Sequence, residues 1–360
     1  MKDLFQPGQR KKKGPLRAVA LMFLSSFSLL YRLGCGVRVL LYRHGLRRQT
    51  KLPSKVISVG NITVGGTGKT PLVIYLTEKL KARGEKVAIL TRGYKRKKKE
   101  MVELTQHIHR QVKWSDVGDE PYLLARRLSG IPIIVSKNRC ASGDYAVGKH
   151  GTQTVVLDDG FQHLGLFRDL DVVVIDSVNP FGNGRLLPAG PLREPLTSLK
   201  RADVFVLTKT DQGSRKDKLI EILRRHNPKA PIVESMYEVR SIEKVSNGSL
   251  IPTSEVENKK VLAFSGIGNP LSFENTLRQL GIQILRHRKF SDHFAYENED
   301  VLELIREAEN LGLDLIITTE KDSVRIPLIN EPKIPIYVLK IDLKVTSGEE
   351  VLLRKVKGKI

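Results

Sequence analysis

The feature that most constrains this chain is the passage from an apolar run, through glycines, into a helical pattern at residues 56–84. Val56 to Val59 reads as a buried strand, G-N-I-T-V-G-G-T-G-K-T-P from Gly60 to Pro71 as a turn, and L-V-I-Y-L-T-E-K-L-K-A-R-G as a helix. In that order, backbone N–H groups and a helix N-terminus converge on one point, as phosphate oxygens require. The strict pattern G-x-x-x-x-G-K-[ST] would have glycine at position 63, where this chain has Thr63, so the turn is a variant with Gly65 and Gly66 supplying its flexibility. Gly65, Gly66, Thr67 and Gly68 form the candidate nucleotide-binding turn. Lys69 is placed to bridge the β- and γ-phosphates and Thr70 to hold Mg²⁺.

From Lys55 onward K-V-I-S-V-G, E-K-V-A-I-L-T-R-G, I-P-I-I-V-S-K, T-V-V-L-D-D, L-D-V-V-V-I-D, A-D-V-F-V-L-T-K and P-I-V-E-S alternate with helical segments. Continuous apolar runs of this kind fit parallel strands covered on both faces, which predicts a doubly wound, mostly parallel α/β sheet. After Tyr237 the texture becomes polar, with a hairpin signal at Asn247-Gly248, and a second, smaller α/β set follows. The expected organisation is an anchor segment over 1–50, a nucleotide-binding domain over 51–237, a β-ribbon linker over 238–260, a smaller α/β lobe over 261–345 and a basic tail over 346–360. Two cysteines, Cys35 and Cys140, provide neither a disulfide framework nor a zinc-ligand spacing, which points to a reducing compartment.

Lys and Arg number 61 against 39 Asp and Glu, a net charge of +22, so the chain favours an anionic partner. Twelve of those cations and a single acid, Asp3, fall between Met1 and Lys51. Within that region Ala18 to Tyr31 is apolar, but as a helix it measures about 21 Å against the roughly 30 Å of a bilayer core. Extending it to Tyr42 brings Arg32 and Arg38 to depth, at about 2.5–3.5 kcal/mol each near a helix centre. A helix lying in the interface avoids that penalty. Ser25, Ser28, Arg32, Gly36 and Arg43 then make a polar stripe, with Leu21, Phe23, Leu24, Phe27, Leu30 and Leu41 around it. The chain runs Tyr31-Arg32-Leu33-Gly34-Cys35 where a cleaved export signal would need small residues, so the segment reads as an anchor on an anionic membrane surface. Aromatics make up only 6% of residues and no nucleic-acid module is recognisable, so nucleic acid is not expected; no obligate protein partner is inferred.

The strand T-V-V-L-D-D ends in Asp158 and Asp159 at the sheet edge where Lys69 also falls, which makes both candidates for the metal's coordination sphere. Gln162 and His163 follow on the same loop as candidate substrate or phosphate contacts, with a structural hydrogen-bonding role as the alternative. V-G-D-E-P places Asp119 and Glu120 ahead of a helix beginning near Pro121, where the plain reading is an N-cap. K-F-S-D-H-F-A-Y places Asp292 and His293 in the second lobe, from which a closing motion would bring them over the first; the alternative is a helix cap. T-K-T-D, Thr208 to Asp211, is similar to the base-reading motif of GTPases, and T-T-E-K-D, Thr318 to Asp322, ends another apolar strand and is a candidate for the same task.

GNITVGGTGKTP, TRGYKR, VGDEP, LDDGFQH, GNGRLLPAGPLREP, FSGIGNP, FSDHF and TTEKD occur in order between Val56 and Asp322. Together they resemble the tetraacyldisaccharide 4′-kinase family, a group with a phosphate-loop NTPase type of fold. The resemblance implies ATP- and Mg²⁺-dependent phosphorylation of the 4′-hydroxyl of tetraacyldisaccharide 1-phosphate in lipid A biosynthesis, at the cytoplasmic face of the bacterial inner membrane, by a peripheral or monotopic enzyme. It also implies that Asp119 accepts the hydroxyl proton and that His293 orients or tunes it; many members have two histidines where this chain has His293 alone. Arg185 and Arg193 are expected to neutralise nucleotide phosphate or the 1-phosphate of the lipid. Thr319, Glu320, Lys321 and Asp322 are expected at the nucleotide. The alternative is a GTPase or metal-insertion chaperone at the membrane surface, a reading that T-K-T-D favours.

Overall fold

The computed structural model describes residues 15–105, 112–327 and 332–358, with the side chains of the first helix described from Leu24. The basic cluster at Lys2 and Arg10 to Lys13, and the side chains of Leu21 and Phe23, lie outside the described residues. Two compact units are present, one of residues 1–92, 131–236 and 344–360, the other of residues 93–130 and 237–343.

In chain order, α1 (Pro15–Arg43), β1 (Lys55–Gly60), α2 (Lys69–Lys81) and β2 (Val87–Thr91) belong to the first unit. β3 (Val102–Leu104), α3 (Trp114–Val117) and α4 (Asp119–Arg127) belong to the second. The first unit resumes with β4 (Ile133–Val135), α5 (Arg139–His150), β5 (Thr154–Asp158), β6 (Leu170–Asp176), β7 (Val204–Thr208) and α6 (Lys216–His226). The chain leaves it along β8 (Ile232–Lys244). The second unit continues with β9 (Leu250–Ile251), β10 (Lys260–Ser265), α7 (Pro270–Gln279), β11 (Gln283–Lys289), α8 (Asn298–Asn310), β12 (Leu315–Thr319) and α9 (Glu320–Ser323). β13 (Ile336–Ser347) returns the chain to the first unit, where α10 (Glu349–Lys357) follows.

The first unit has the strand order β8-β7-β6-β1-β5-β2-β4, with parallel pairing throughout. Parallel order requires helical crossovers, which explains why β1, β5, β6 and β7 are buried along nearly their whole length rather than at alternate positions. Phe161, Val173, Phe205 and Leu219 meet on one side, and Val56, Leu90, Ile134 and Val155 on the other. In the second unit β11-β10-β12-β13 is also parallel. Alternate residues of β10 divide between its two cores: Val261 and Ala263 pack with Leu277, and Leu262 and Phe264 with Leu304.

The doubly wound architecture is as the sequence predicts, but the segment boundaries differ. Residues 93–130, read as part of the first domain, belong to the second unit. There the buried Arg127 guanidinium donates to Glu320 at 2.7 Å and also pairs with Asp342, so α4 is tied to α9 and β13 by charge that a strand-and-helix pattern does not display. The expected linker is the β8–β9 hairpin, antiparallel, turning at Asn247-Gly248 with Gly248 at φ 71°. The expected basic tail is the helix α10. Glu349 accepts from the Tyr75 hydroxyl at 2.5 Å and pairs with Lys79 at 2.8 Å, while Leu352 and Val356 are buried.

Helix α1 uses its polar stripe differently from the expectation. The Ser28 hydroxyl donates to Leu186 O at 3.0 Å and accepts from Ala189 N at 3.2 Å, Arg185 donates to Ser25 Oγ at 2.9 Å, and the Tyr31 hydroxyl donates to Arg193 O at 2.9 Å. Ser25 and Ser28 therefore face the protein, while Arg32, Gly36 and Arg43 stay exposed. On the opposite side Leu29, Leu30, Leu33, Val37 and Leu40 are each more than half exposed. The small hydroxyl side chains allow close approach to the 185–193 loop, whose backbone groups need partners. That leaves the apolar face outward. Leu24–Arg43 is also long and apolar enough to cross a membrane by length and composition.

Candidate active site

In the first unit the chain between β1 and α2 makes the predicted phosphate-type loop. Gly65 and Gly68 carry it through left-handed backbone at φ 106° and 93°. Thr63 needs no such conformation. Its backbone bridges Leu192 and its side chain packs against Asn61, which explains why a β-branched residue is tolerated where the strict motif has glycine. Gly68 precedes α2 with no side-chain cap, so the first N–H groups of that helix have no side-chain acceptor. Gly65 and Gly66 are exposed, whereas Thr67 is buried, accepting from Asn61 Nδ2 at 2.9 Å and, through its carbonyl, from the Thr208 hydroxyl at 2.9 Å.

Lys69 Nζ lies 3.5 Å from Asp159 Oδ1 and 3.4 Å from Asn61 Oδ1. Arg193 approaches the same carboxylate at 2.7 and 2.9 Å. Burial alone would raise the Asp159 carboxyl, but Lys69 and Arg193 outweigh it and hold it down at about 2. Asp159 sits in left-handed backbone at φ 51°, a strained conformation that aims its side chain at both cations. Asp158 is buried and accepts from the Thr91 hydroxyl at 2.9 Å. The Gln162 side-chain amide donates to Asn61 O at 2.9 Å, and the Gln162 backbone carbonyl accepts from Arg38 of α1 at 2.8 Å. Burial, followed by Arg139, Arg168, Arg38 and Arg92, pushes the His163 imidazole down to about 4, which keeps it neutral. Of the two predicted arginines only Arg193 joins the carboxylate cluster; Arg185 turns to Ser25.

The donor set suits Mg²⁺. That ion keeps several waters and takes one or two carboxylates together with substrate phosphates; Thr70 at the start of α2 offers one hydroxyl, and Asp158 and Asp159 at the end of β5 offer two carboxylates. Among the described residues no group of three or more His, Cys, Asp or Glu side chains forms a closed metal cage. The uncapped N-terminus of α2 and the open glycines suit polyphosphate, so both ATP and Mg²⁺ fit the residues present.

The second unit holds the acid–histidine pair. Gly118, at φ 99° with its Cα side pressed on Gly93 and Tyr94, turns the chain so that α4 begins at Asp119 itself, two residues before Pro121. No side chain caps this helix, so the N-cap reading of Asp119 does not describe it. His293 Nδ1 approaches Asp119 Oδ1 and Oδ2 at 3.0 and 2.8 Å. His293 is in left-handed backbone at φ 63°, and Tyr94 packs on its ring with centroids 5.3 Å apart. The pair is complete within one unit, because residues 93–130 belong there; the closing motion expected to assemble it is not required. Burial alone would raise Asp119, but the His293 hydrogen bond, Lys321, the His293 charge and Arg325 together hold it below the usual carboxylate range.

T-T-E-K-D also falls in this unit, and its side chains are engaged in the interior. Thr319 caps α9 by accepting from Asp322 N, Glu320 pairs with Arg127, and Asp322 is fully buried. Lys321 reaches Glu120 at 3.2 Å and Asp292 at 3.6 Å beside the acid–histidine pair. Each of the four residues thus has a protein partner within this unit. In T-K-T-D, Lys209 is buried against Asp176 at 2.5 Å. Sequence reasoning missed Asn61, which holds both Lys69 and Thr67, and Arg325, which lies beside Asp119. Asn61 adjoins the glycine motif and was detectable by position; Arg325 was not, since it lies beyond the last motif residue.

The profile of the family described as LpxK, tetraacyldisaccharide-1-P 4′-kinase, matches residues 20–359. The chain belongs to this family. It is 36% identical over 367 residues to the tetraacyldisaccharide 4′-kinase of Syntrophus aciditrophicus, covering 98% of this chain and 96% of that one. It is 38% identical over 348 residues to that of Halothermothrix orenii, covering 91% and 90%. Among solved structures, an LpxK from Aquifex aeolicus described as an apo form in complex with ATP is similar with a TM-score of 0.71 and 32% identity, over 95% of this chain and 98% of that one. Family membership supports the kinase reading over the GTPase or metal-insertion alternative.

Proposed function

We propose that this protein transfers the γ-phosphate of ATP to the 4′-hydroxyl of tetraacyldisaccharide 1-phosphate. The observation that carries the reading is the hydrogen bond of His293 to an ionised, buried Asp119 in a chain of this kinase family. The α2 N-terminus and Lys69 bind the polyphosphate, and Arg193 neutralises charge beside it. Thr70, Asp158 and Asp159 would hold Mg²⁺, which when bound offsets charge on the transferring group. Lys69 and Arg193 now hold Asp159; an arriving polyphosphate competes for both cations.

The acceptor is a neutral sugar hydroxyl, and its oxygen becomes a sufficient nucleophile as its proton leaves. Asp119 takes that proton. With Asp119 ionised, His293 donates through Nδ1 and fixes the carboxylate rather than competing for the substrate proton. Phosphoryl transfer depends mainly on positioning and charge, so these two clusters account for most of the rate. The outward apolar face of α1, flanked by Arg32 and Arg43, rests in the cytoplasmic leaflet of the inner membrane and lets the acyl chains stay partly in lipid.

Radiolabelled γ-phosphate ATP incubated with disaccharide 1-phosphate lipid in mixed micelles tests the assignment after thin-layer separation. Label should appear in the lipid and depend on Mg²⁺. Label released only as inorganic phosphate, with no lipid product, would exclude it.

A further inference from the structure

Arg325 is the largest fully buried side chain in the described structure. Placing a guanidinium in a protein interior costs several kcal/mol unless other groups compensate. Its Nη2 donates to Asp322 Oδ1 at 2.5 Å and to Gly266 O at 3.1 Å. Its Nε and Nη1 have no hydrogen-bond partner. Nε stands 3.7 Å from Asp119 Oδ2, too long for a hydrogen bond yet close for a charge in a dry site.

Asp322 does not need this arginine for hydrogen bonding. Gly266 N and the Tyr296 hydroxyl both donate to Oδ1 at 2.9 Å, and the Thr319 hydroxyl lies 2.6 Å from Oδ2. Asp119 is less provided for, with His293 and its neighbour Glu120 N as donors. A cation held by Asp322 and offered sideways to Asp119 favours the ionised carboxylate without occupying the lone pair that must receive a proton.

We infer that Arg325 is a positioning residue for the proton acceptor, held by Asp322 and Gly266 so that its Nε edge fixes Asp119 in place beside His293. The inference rests on Asp119 being that acceptor. The titratable and charged groups facing Asp119 are His293, Lys321 and Arg325, while Lys321 is itself balanced by Glu120 and Asp292. The guanidinium is the only one of these three side chains that is wholly shut away from solvent.

The test is the pH dependence of kcat for Arg325→Met and Arg325→Lys, with the lipid acceptor in micelles and folding checked by circular dichroism. Losing an adjacent opposite charge should raise the acid limb by about 1–3 units in the methionine variant, and an Asp119 no longer held in place should lower kcat about tenfold near neutrality, with the KM for ATP unchanged. The lysine ammonium cannot keep both contacts, so that variant should move the limb the same way by less. In an Asp119→Asn background, Arg325→Met should lower the residual rate no further. A folded lysine or methionine variant with the wild-type limb overturns the inference, as does an equal loss in both backgrounds. If the methionine variant does not fold, the lysine variant alone decides it. Full activity of Asp119→Asn would instead overturn the proton-acceptor reading itself.

Discussion

Asp159 and Asp119 are both carboxylates held below their ordinary range by nearby cations, yet they are built for opposite tasks. The Asp159 side chain is 37% exposed, and its partners are two flexible cations that an anionic ligand can draw away. The Asp119 side chain is 4% exposed and has a directional histidine plus a buried guanidinium. In the proposed mechanism the first arrangement exchanges partners when a polyphosphate arrives. The second keeps one charge state and one orientation. A shift in the same direction thus arises from a replaceable charge balance in one place and from a fixed frame in the other.

The largest expected effect is at the fixed frame. Asp119→Asn should lower kcat by about 10²–10⁴ while leaving the Kd for ATP near wild type, because a lost proton acceptor affects the chemical step and not the nucleotide. Equilibrium binding of a fluorescent ATP analogue beside single-turnover kinetics separates the two. A rise in Kd with normal turnover would make Asp119 a nucleotide contact and dissolve the contrast with Asp159.

At the exchangeable cluster, Lys69→Ala should lower kcat by about 10²–10³ and weaken ATP binding as well, since the lysine serves ground state and transition state together. It should also leave Asp159 with Arg193 as its remaining close cation, so its carboxyl titrates nearer the ordinary value. Near-normal turnover in a folded variant would refute the phosphate-loop assignment.

How far the sequence speaks for each cluster follows from this difference. The exchangeable site is legible because its parts lie on consecutive residues: the glycines, Lys69 and Thr70 on one turn, Asp158 and Asp159 at one strand end. Its chemistry depends on local backbone geometry, which short motifs encode. The fixed frame draws Asp119, His293, Asp322 and Arg325 from distant segments. The sequence alone placed Asp119 in the first domain because the excursion over residues 93–130 is bounded by no linker signal, and the charge that binds it, Arg127 with Glu320, is a long-range pair. The resemblance supplied the Asp119–His293 partnership; nothing in the spacing did. Helix α1 shows the same limit, since its 3.6-residue pattern marks a polar stripe but not whether that stripe meets water or the 185–193 loop.

The two faces of α1 provide a smaller effect. Leu30→Ser with Leu33→Ser on the outward side should weaken partitioning onto anionic vesicles by roughly thirtyfold, taking about 1 kcal/mol for each half-immersed leucine. Sedimentation with vesicles measures it, and unchanged partitioning would remove the outward face from the membrane contact.

The smallest effect concerns what steadies the helix that presents the phosphate-binding end. Tyr75 lies on α2 and donates to Glu349 at 2.5 Å, with Lys79 on the same carboxylate, so α10 braces α2 from the far end of the sequence. The Glu349 side chain is 42% exposed, and solvent screens the ion pair, which leaves the phenol hydrogen bond as the main contribution. Tyr75→Phe should therefore cost about 0.5–1 kcal/mol, read as a lower urea midpoint with an unchanged slope. If the loss also appears as a weaker Kd for ATP, the brace extends to the exchangeable cluster; if Kd is untouched, the brace is confined to the helix scaffold and the phosphate end holds its shape through Asn61 and Thr208 alone.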